Sequence, residues 1–276
     1  MLTTGRPLRV AVLCSRRAPG LLHLLDAPSG HGAGYEVCCV VATEAGCADA
    51  AAVQDRGIPV VTHDITAFYT ERSSKVYRDF MTRRAYDRAT VEILAAHAPD
   101  LVLLDGYLYL LTRPMLDAYR HRMLNLHFSD LTIRRADRRP AYVGIRAVRD
   151  AIADGQTDTS ATVHLVNDEP DGGAPIVRSW SYPVSPLAAR ARQWQALDML
   201  KAYAYAHQEW MIRGVSGPLL SAALALVADA RVDLDGLGSR DPATVTPWIV
   251  DEHGRLTPPA ATRMHAILEG YKRASA

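Results

Sequence analysis

Along the first half of the chain, short unbroken apolar runs alternate with stretches in which apolar residues recur at helical spacing. The runs are Leu8–Cys14 (LRVAVLC), Tyr35–Ala42 (YEVCCVVA), Ile58–Thr62 (IPVVT), Leu101–Leu104 (LVLL) and Met123–His127 (MLNLH). A strand with one wet face alternates apolar and polar residues. These runs scarcely alternate, so they predict strands buried on both faces, in a parallel sheet covered by helices. Helices are expected at Gly20–Asp26, at Cys47–Arg56 before Gly57, over about Ala85–His97, and at about Pro114–Tyr119. The predicted class is α/β, a doubly wound and mostly parallel sheet.

The second half continues the pattern less regularly. Gly106–Leu111 reads as a turn leaving the fourth strand, and Ser129–Arg139 as a polar loop before a helix at about Gly144–Ala153. Ala161–Val166 and Ala174–Val184 predict a strand pair joined by Asn167–Gly173. Leu187–Ile212 predicts one long helix ending at Gly214, followed by a second apolar helix, Pro218–Ala228. Thr246–Leu256 predicts a hairpin turning near Glu252–Gly254, and Ala260–Arg273 a last helix. With no repeat or linker, the expected organisation is one domain over 1–214 and a helix–hairpin–helix extension over 215–276 packed on it.

Composition narrows the function. The 276 residues carry 31 Lys plus Arg against 30 Asp plus Glu, a net charge of +1. That balance excludes a globally basic nucleic-acid binder, though not a local basic patch. No stretch approaches about 20 apolar residues without a charge, so no membrane partner is expected. Met1–Arg9 lacks the apolar run of a secretory signal, and the expected location is cytoplasmic. The four cysteines, Cys14, Cys38, Cys39 and Cys47, form no Cys-x-x-Cys and no Cys/His cluster of zinc-like spacing. They are expected to act as small buried hydrophobes, with no metal.

Three polar residues carry candidate chemistry. Asn125 and His127 close the fifth run, at the carboxyl edge where open α/β sheets bind ligands. Being two apart, they share one face of a strand. Asp171 sits in Pro170-Asp171-Gly172-Gly173. Singly, each has a plain structural explanation: a turn cap, a satisfied core histidine, and Asp-Gly turn chemistry.

The order of motifs weighs more than any one of them. Asn125-Leu126-His127 ends a central strand. Gly144 precedes a helix closing on Ala151-Ile152 and Gly155. Thr162-Val163-His164-Leu165-Val166 forms the next strand, and Glu169-Pro170-Asp171-Gly172-Gly173 ends the following loop. The opening strand Arg9–Cys14, the segment Asp100–Tyr107 and the late segment Pro247–Pro259 match as well. This set resembles the formyltransferases that use 10-formyltetrahydrofolate, above all their glycinamide ribonucleotide branch.

The resemblance implies a Rossmann-like formyltransferase fold and transfer of a formyl group from that folate donor to a primary amine, a small-molecule acceptor, with no metal. It assigns Asn125 and a protonated His127 to the oxyanion of a tetrahedral intermediate, and Asp171 to proton transfer and to raising the His127 pKa. It places the pterin against the backbone of Leu108, Tyr109, Leu110 and Leu111 and of Val166, Asn167, Asp168 and Glu169. His164 is expected beside the acceptor. The side chains of Tyr107 and Tyr109 are expected to do ordinary packing.

Departures from the family pattern leave the acceptor open. After the first strand stands Ser15-Arg16-Arg17-Ala18-Pro19-Gly20 instead of a glycine-rich phosphate loop, and Phe128 replaces a proline. The loop to Tyr142 is longer and carries Arg134, Arg135, Arg138 and Arg139. It reads equally as a solvated loop or as a lid for an acidic acceptor, with Arg16, Arg17, Arg134 and Arg135 as contacts. Arg72–Arg88 reads as a basic surface insertion. Glycinamide ribonucleotide and a specialised amine both stay open, and so does the oligomeric state. Hydrolysis of the donor and non-catalytic folate binding are the rival functions. A start at Leu8 leaves no room for the N-terminal regulatory domain expected of a hydrolase.

Overall fold

The computed structural model describes residues 6–27, 34–76 and 79–259. In chain order the elements are β1 (Leu8–Cys14), α1 (Leu21–Asp26), β2 (Tyr35–Ala42), α2 (Ala50–Gln54), β3 (Val60–Thr62), α3 (Ile65–Thr70), α4 (Phe80–Ala95), β4 (Leu101–Leu104), α5 (Arg113–Ala118) and β5 (Met123–His127). Then follow α6 (Ala147–Asp154), β6 (Asp158–Thr159), β7 (Thr162–Leu165), β8 (Pro175–Arg178), β9 (Tyr182–Pro183), α7 (Pro186–Gln193), α8 (Leu197–Ala228), α9 (Leu234–Gly238), β10 (Trp248–Val250) and β11 (Leu256–Thr257).

Among the described residues, nine strands form one sheet in the order β11-β10-β8-β7-β5-β4-β1-β2-β3, and β6 pairs separately with β9. β3, β2, β1, β4 and β5 run parallel to one another. β7 is antiparallel to both β5 and β8. Strand alternation splits the core in two, as a period of two requires. Val10, Val12 and Cys14 face one apolar cluster with Leu21 of α1, Val148 of α6 and the buried stripe of α8. Ala11 and Leu13 face the other, with Leu94 of α4 and Met115 of α5. The sheet is thus covered on both faces, as the unbroken apolar runs predict.

The long helix departs from expectation. α7 stops at Gln193, and α8 then runs unbroken through Gly214 and Pro218 to Ala228. Gly214 is no helix stop: a Cβ there would lie 2.5 Å from the Tyr182 hydroxyl, so glycine lets that ring approach. Four residues on, Pro218 lacks the N–H that would bond to the Gly214 carbonyl. α8 is long and apolar enough to cross a bilayer, but two thirds of its most apolar stretch (67%) is buried in the fold, as in a core helix. The expected domain boundary at 214/215 falls inside it, and the helix expected at Ala260–Arg273 lies outside the described residues.

From Phe80 on, the segment expected as a basic surface insertion is a helix with a buried charge. Asp79 caps α4 by accepting from the Met81 and Thr82 amides. One turn in, Arg83 lies against the fully buried Asp87 at 2.7 Å. The four cysteines are buried as expected, with the Cys14 and Cys47 sulfurs 3.6 Å apart.

Candidate active site

The parallel strands end together at one edge, where the strand-to-helix loops part. A cavity of about 710 Å3 lies there, with Asn125, His127, His164 and Asp171 in its wall. Its lining falls into two groups, or arms, that belong to opposite faces of the sheet. One is walled by Leu104, Leu111 and Leu116 and by the loops Leu108–Leu111 and Val166–Asp168. The other is walled by Arg16, Arg17, Pro19, Ile145, Val148, Gln208 and Ile212.

The pairing of β5 with β7 builds the polar group between the arms. Asn125 stands directly opposite His164, and His127 opposite Thr162. His164 donates from Nδ1 to the Leu165 carbonyl (3.0 Å), which leaves Nε2 to accept from Asn125 Nδ2 (3.1 Å). Asn125 Nδ2 also lies 3.4 Å from Asp171 Oδ1. His127 donates from Nε2 to the Tyr142 carbonyl (3.1 Å), and its Nδ1 faces Asp171 Oδ1 at 3.4 Å.

Asp171 is held by unusual backbone. Its φ is +53°, a left-handed conformation that Asp tolerates better than most residues. Its Oδ2 accepts from the Gly144 amide at 2.7 Å. A Cβ on Gly173 would sit 1.6 Å from the Leu165 carbonyl oxygen, so no other residue fits there. This explains the Asp-Gly-Gly run physically: one residue is turned into the site, and a bare backbone passes under β7.

Electrostatics differentiates the groups. Burial works to raise the Asp171 pKa, but the His164 contact, the neighbouring His127 and His164 rings and the Gly144 amide overcome it and hold the carboxyl well below its usual range. His127 goes the other way from the expectation of a protonated ring. Burial is the largest influence and pulls its pKa down. Asp171 pushes it up as expected, but His164 adds to the lowering. The buried ring is favoured neutral, with its proton on Nε2, since the Tyr142 carbonyl can only accept.

The structure brings together most of the expected site residues. Leu108, Tyr109, Leu110 and Leu111, Val166, Asn167, Asp168 and Glu169, and Arg16, Arg17 and His164 all line the cavity. Arg134 and Arg135 do not. They fold their own loop: Arg134 Nη1 donates to the Arg138 carbonyl and Arg135 Nη2 to the Ala141 carbonyl. Of the same loop, Arg138 pairs with Asp241 and Arg139 with Glu169. Sequence reasoning missed Gln208 and Ile212 of α8; their four-residue spacing on an apolar helix was the available signal. It also missed Arg83 and Asp87, which sit behind the Leu108–Leu111 loop. Arg83 Nη2 donates to the Tyr107 hydroxyl (2.6 Å), and Asp87 accepts from the Thr112 amide and hydroxyl (2.6 Å each). Tyr107 therefore does more than pack.

An open α/β sheet with an Asn/His/Asp group between the two arms of an edge cavity defines the class. Residues 8–196 match the formyl transferase family, and the chain belongs to it. The phosphoribosylglycinamide formyltransferase of Mycobacterium tuberculosis is 34% identical over 178 residues, 64% of this chain and 72% of that protein. The Escherichia coli phosphoribosylglycinamide formyltransferase is 35% identical over 105 residues, 38% of this chain and 45% of that one. A trifunctional purine biosynthetic protein of Drosophila melanogaster is 30% identical over 182 residues, 64% of this chain but only 12% of that much longer protein. Among solved structures, glycinamide ribonucleotide transformylase 1 of Symbiobacterium toebii superposes with a TM-score of 0.64 at 26% identity, covering 85% of this chain and 93% of that one.

Proposed function

We propose that the protein transfers the formyl group of 10-formyltetrahydrofolate to a primary amine. The observation that carries this reading is the position of Asn125, His127 and Asp171 between two arms, where a donor in one arm meets an acceptor in the other. The arm of Leu104, Leu111, Leu116 and Val166 joins apolar walls to the loop backbone of Leu108–Leu111 and Val166–Glu169. Such a slot suits a flat heterocycle with a hydrogen-bonding edge.

The chemistry assigns a role to each group. The amine nitrogen attacks the formyl carbon, forming a carbon–nitrogen bond and placing negative charge on the formyl oxygen. Asn125 Nδ2 donates to that oxygen. The attacking nitrogen must lose a proton, and the His127–Asp171 pair takes it. A neutral His127 becomes an imidazolium against the ionised Asp171, which offsets the penalty of charging a buried ring. The bond to the folate nitrogen then breaks, the pair returns the proton to that nitrogen, and the formamide and tetrahydrofolate leave. Carbon, charge and proton balance without a metal or a covalent enzyme intermediate.

Incubation with the donor and a panel of amines tests this. Formation of N-formyl product, lost in Asn125→Ala and Asp171→Asn, is the expected result. Donor consumption at the same rate without any amine would sink it in favour of hydrolysis.

A further inference from the structure

We infer that the accepted amine carries an uncharged, apolar body, and that phosphorylated amines are poor acceptors. This rests on the formyl-transfer reading and names the substrate class of that site. It comes from the second arm, between α1, α6 and α8.

Three observations converge. First, most amides at the β1 exit, those of Ser15, Ala18, Gly20 and Leu21, are turned inward. The Ala18 amide donates to Asp49 Oδ2 (2.9 Å) and the Gly20 amide to Asp105 Oδ2 (2.8 Å). The Leu21 amide donates to the Ala18 carbonyl (3.1 Å). Pro19 has no N–H. The amides at the start of α1 are therefore spent on the protein's own acceptors and form no anion cradle at that helix end.

Second, the two arginines of this arm are already neutralised. Arg17 makes a bidentate pair with Glu209 of α8 (2.6 and 3.2 Å), and Arg16 Nε donates to Glu44 (2.8 Å). An incoming dianion must break a charge-assisted pair and then face the carboxylate it displaced. The remaining arginines expected to help, Arg134 and Arg135, are committed to carbonyls of their own loop.

Third, the rest of the wall is apolar. Pro19, Phe128, Val148 and Ile212 line it beside Ile145, which is 69% exposed, with Gln208 as an uncharged polar group. An apolar amine that covers Ile145 gains in proportion to the apolar surface it removes from water. A phosphorylated one pays desolvation, and the two arginines among the described residues of this arm already hold carboxylates.

The test uses the full chain, 10-formyltetrahydrofolate, and two acceptors, phenethylamine and glycinamide ribonucleotide, with formamide product read by mass spectrometry. Phenethylamine is expected to show a kcat/KM at least tenfold higher. Equal values or a preference for the ribonucleotide overturn the inference. In Glu209→Gln, which frees Arg17, the ratio of ribonucleotide to phenethylamine kcat/KM is expected to rise at least fivefold; an unchanged ratio overturns the part given to this pair. Donor binding is read separately, by thermal shift with the stable analogue 10-formyl-5,8-dideazafolate. Binding without transfer to phenethylamine overturns the acceptor class alone, whereas absence of binding overturns the donor reading and this inference with it.

Discussion

Asp171 ties the site together: its two oxygens reach His127, Asn125, His164 and the Gly144 amide. Asn tolerates the same left-handed backbone, so Asp171→Asn removes charge with little change of shape. Its kcat is expected to fall by about 10^2–10^4, the usual span for a proton-transfer group. Asn125→Ala removes the oxyanion donor and is expected to cost about 10^2–10^3 in kcat. Because His127 must be neutral to take the proton, kcat/KM is expected to rise with pH through a midpoint below the ordinary 6.5, since burial lowers that pKa. A pH–rate profile checks the sign; activity that falls as pH rises from 5 to 7 contradicts it. At this scale spacing by two put Asn125 and His127 on one strand face, a local pattern, whereas only the family resemblance joined Asp171 to them. The protonation of His127 was not legible. It depends on burial and on His164, which strand pairing brings in from 37 residues away.

The strands of the first half were legible almost to the residue, since a run buried on both faces has a distinctive composition, whereas the expected strand Ala174–Val184 breaks into β8 and β9, and β9 leaves the main sheet to pair with β6. β1, β2, β4 and β5 coincide with their predicted ranges. Helices were less so. Gly214 looks like a terminator but serves a close approach to Tyr182, and α4 begins five residues before its expected start, at the Asp79 cap. That extra turn carries the Arg83–Asp87 pair, which clamps both ends of the Tyr107–Thr112 segment to one helix. Removing one member of a buried ion pair costs about 3–5 kcal/mol. Arg83→Met is therefore expected to lower Tm markedly and, by loosening the loop, to raise the donor KM more than it lowers kcat. Arg83→Lys, which keeps the charge, is expected to recover part of the KM loss. Steady-state kinetics against varied donor, together with a melting curve, decides. A variant that melts lower with donor KM unchanged refutes the positioning role.

For the whole molecule, the near-zero net charge excludes a globally basic surface but says nothing of the acceptor, because Arg16, Arg17, Arg138 and Arg139 are spent locally in pairs with Glu44, Glu209, Asp241 and Glu169. A single interior carboxyl carries more global consequence. Asp105 follows β4, is fully buried, and fixes α1 through the Gly20 amide while its Oδ1 has no partner. Burial, reinforced by nearby Asp49 and Cys47, pushes its pKa up to about 7 despite the Gly20 and Leu21 amides. In the unfolded chain it returns to about 3.9. Between these values the native state holds a proton that the unfolded chain has released, so stability falls as pH rises from about 4 to about 7 and this contribution then levels off. The shift of about three units corresponds to roughly 4 kcal/mol at most. Asp105→Asn keeps an acceptor for the α1 amides and cannot ionise. It is expected to be more stable than the wild type at pH 8, with the difference shrinking toward pH 5. Urea unfolding of both proteins across that range measures it, and parallel stability curves would show that Asp105 titrates alike in the folded and unfolded chain.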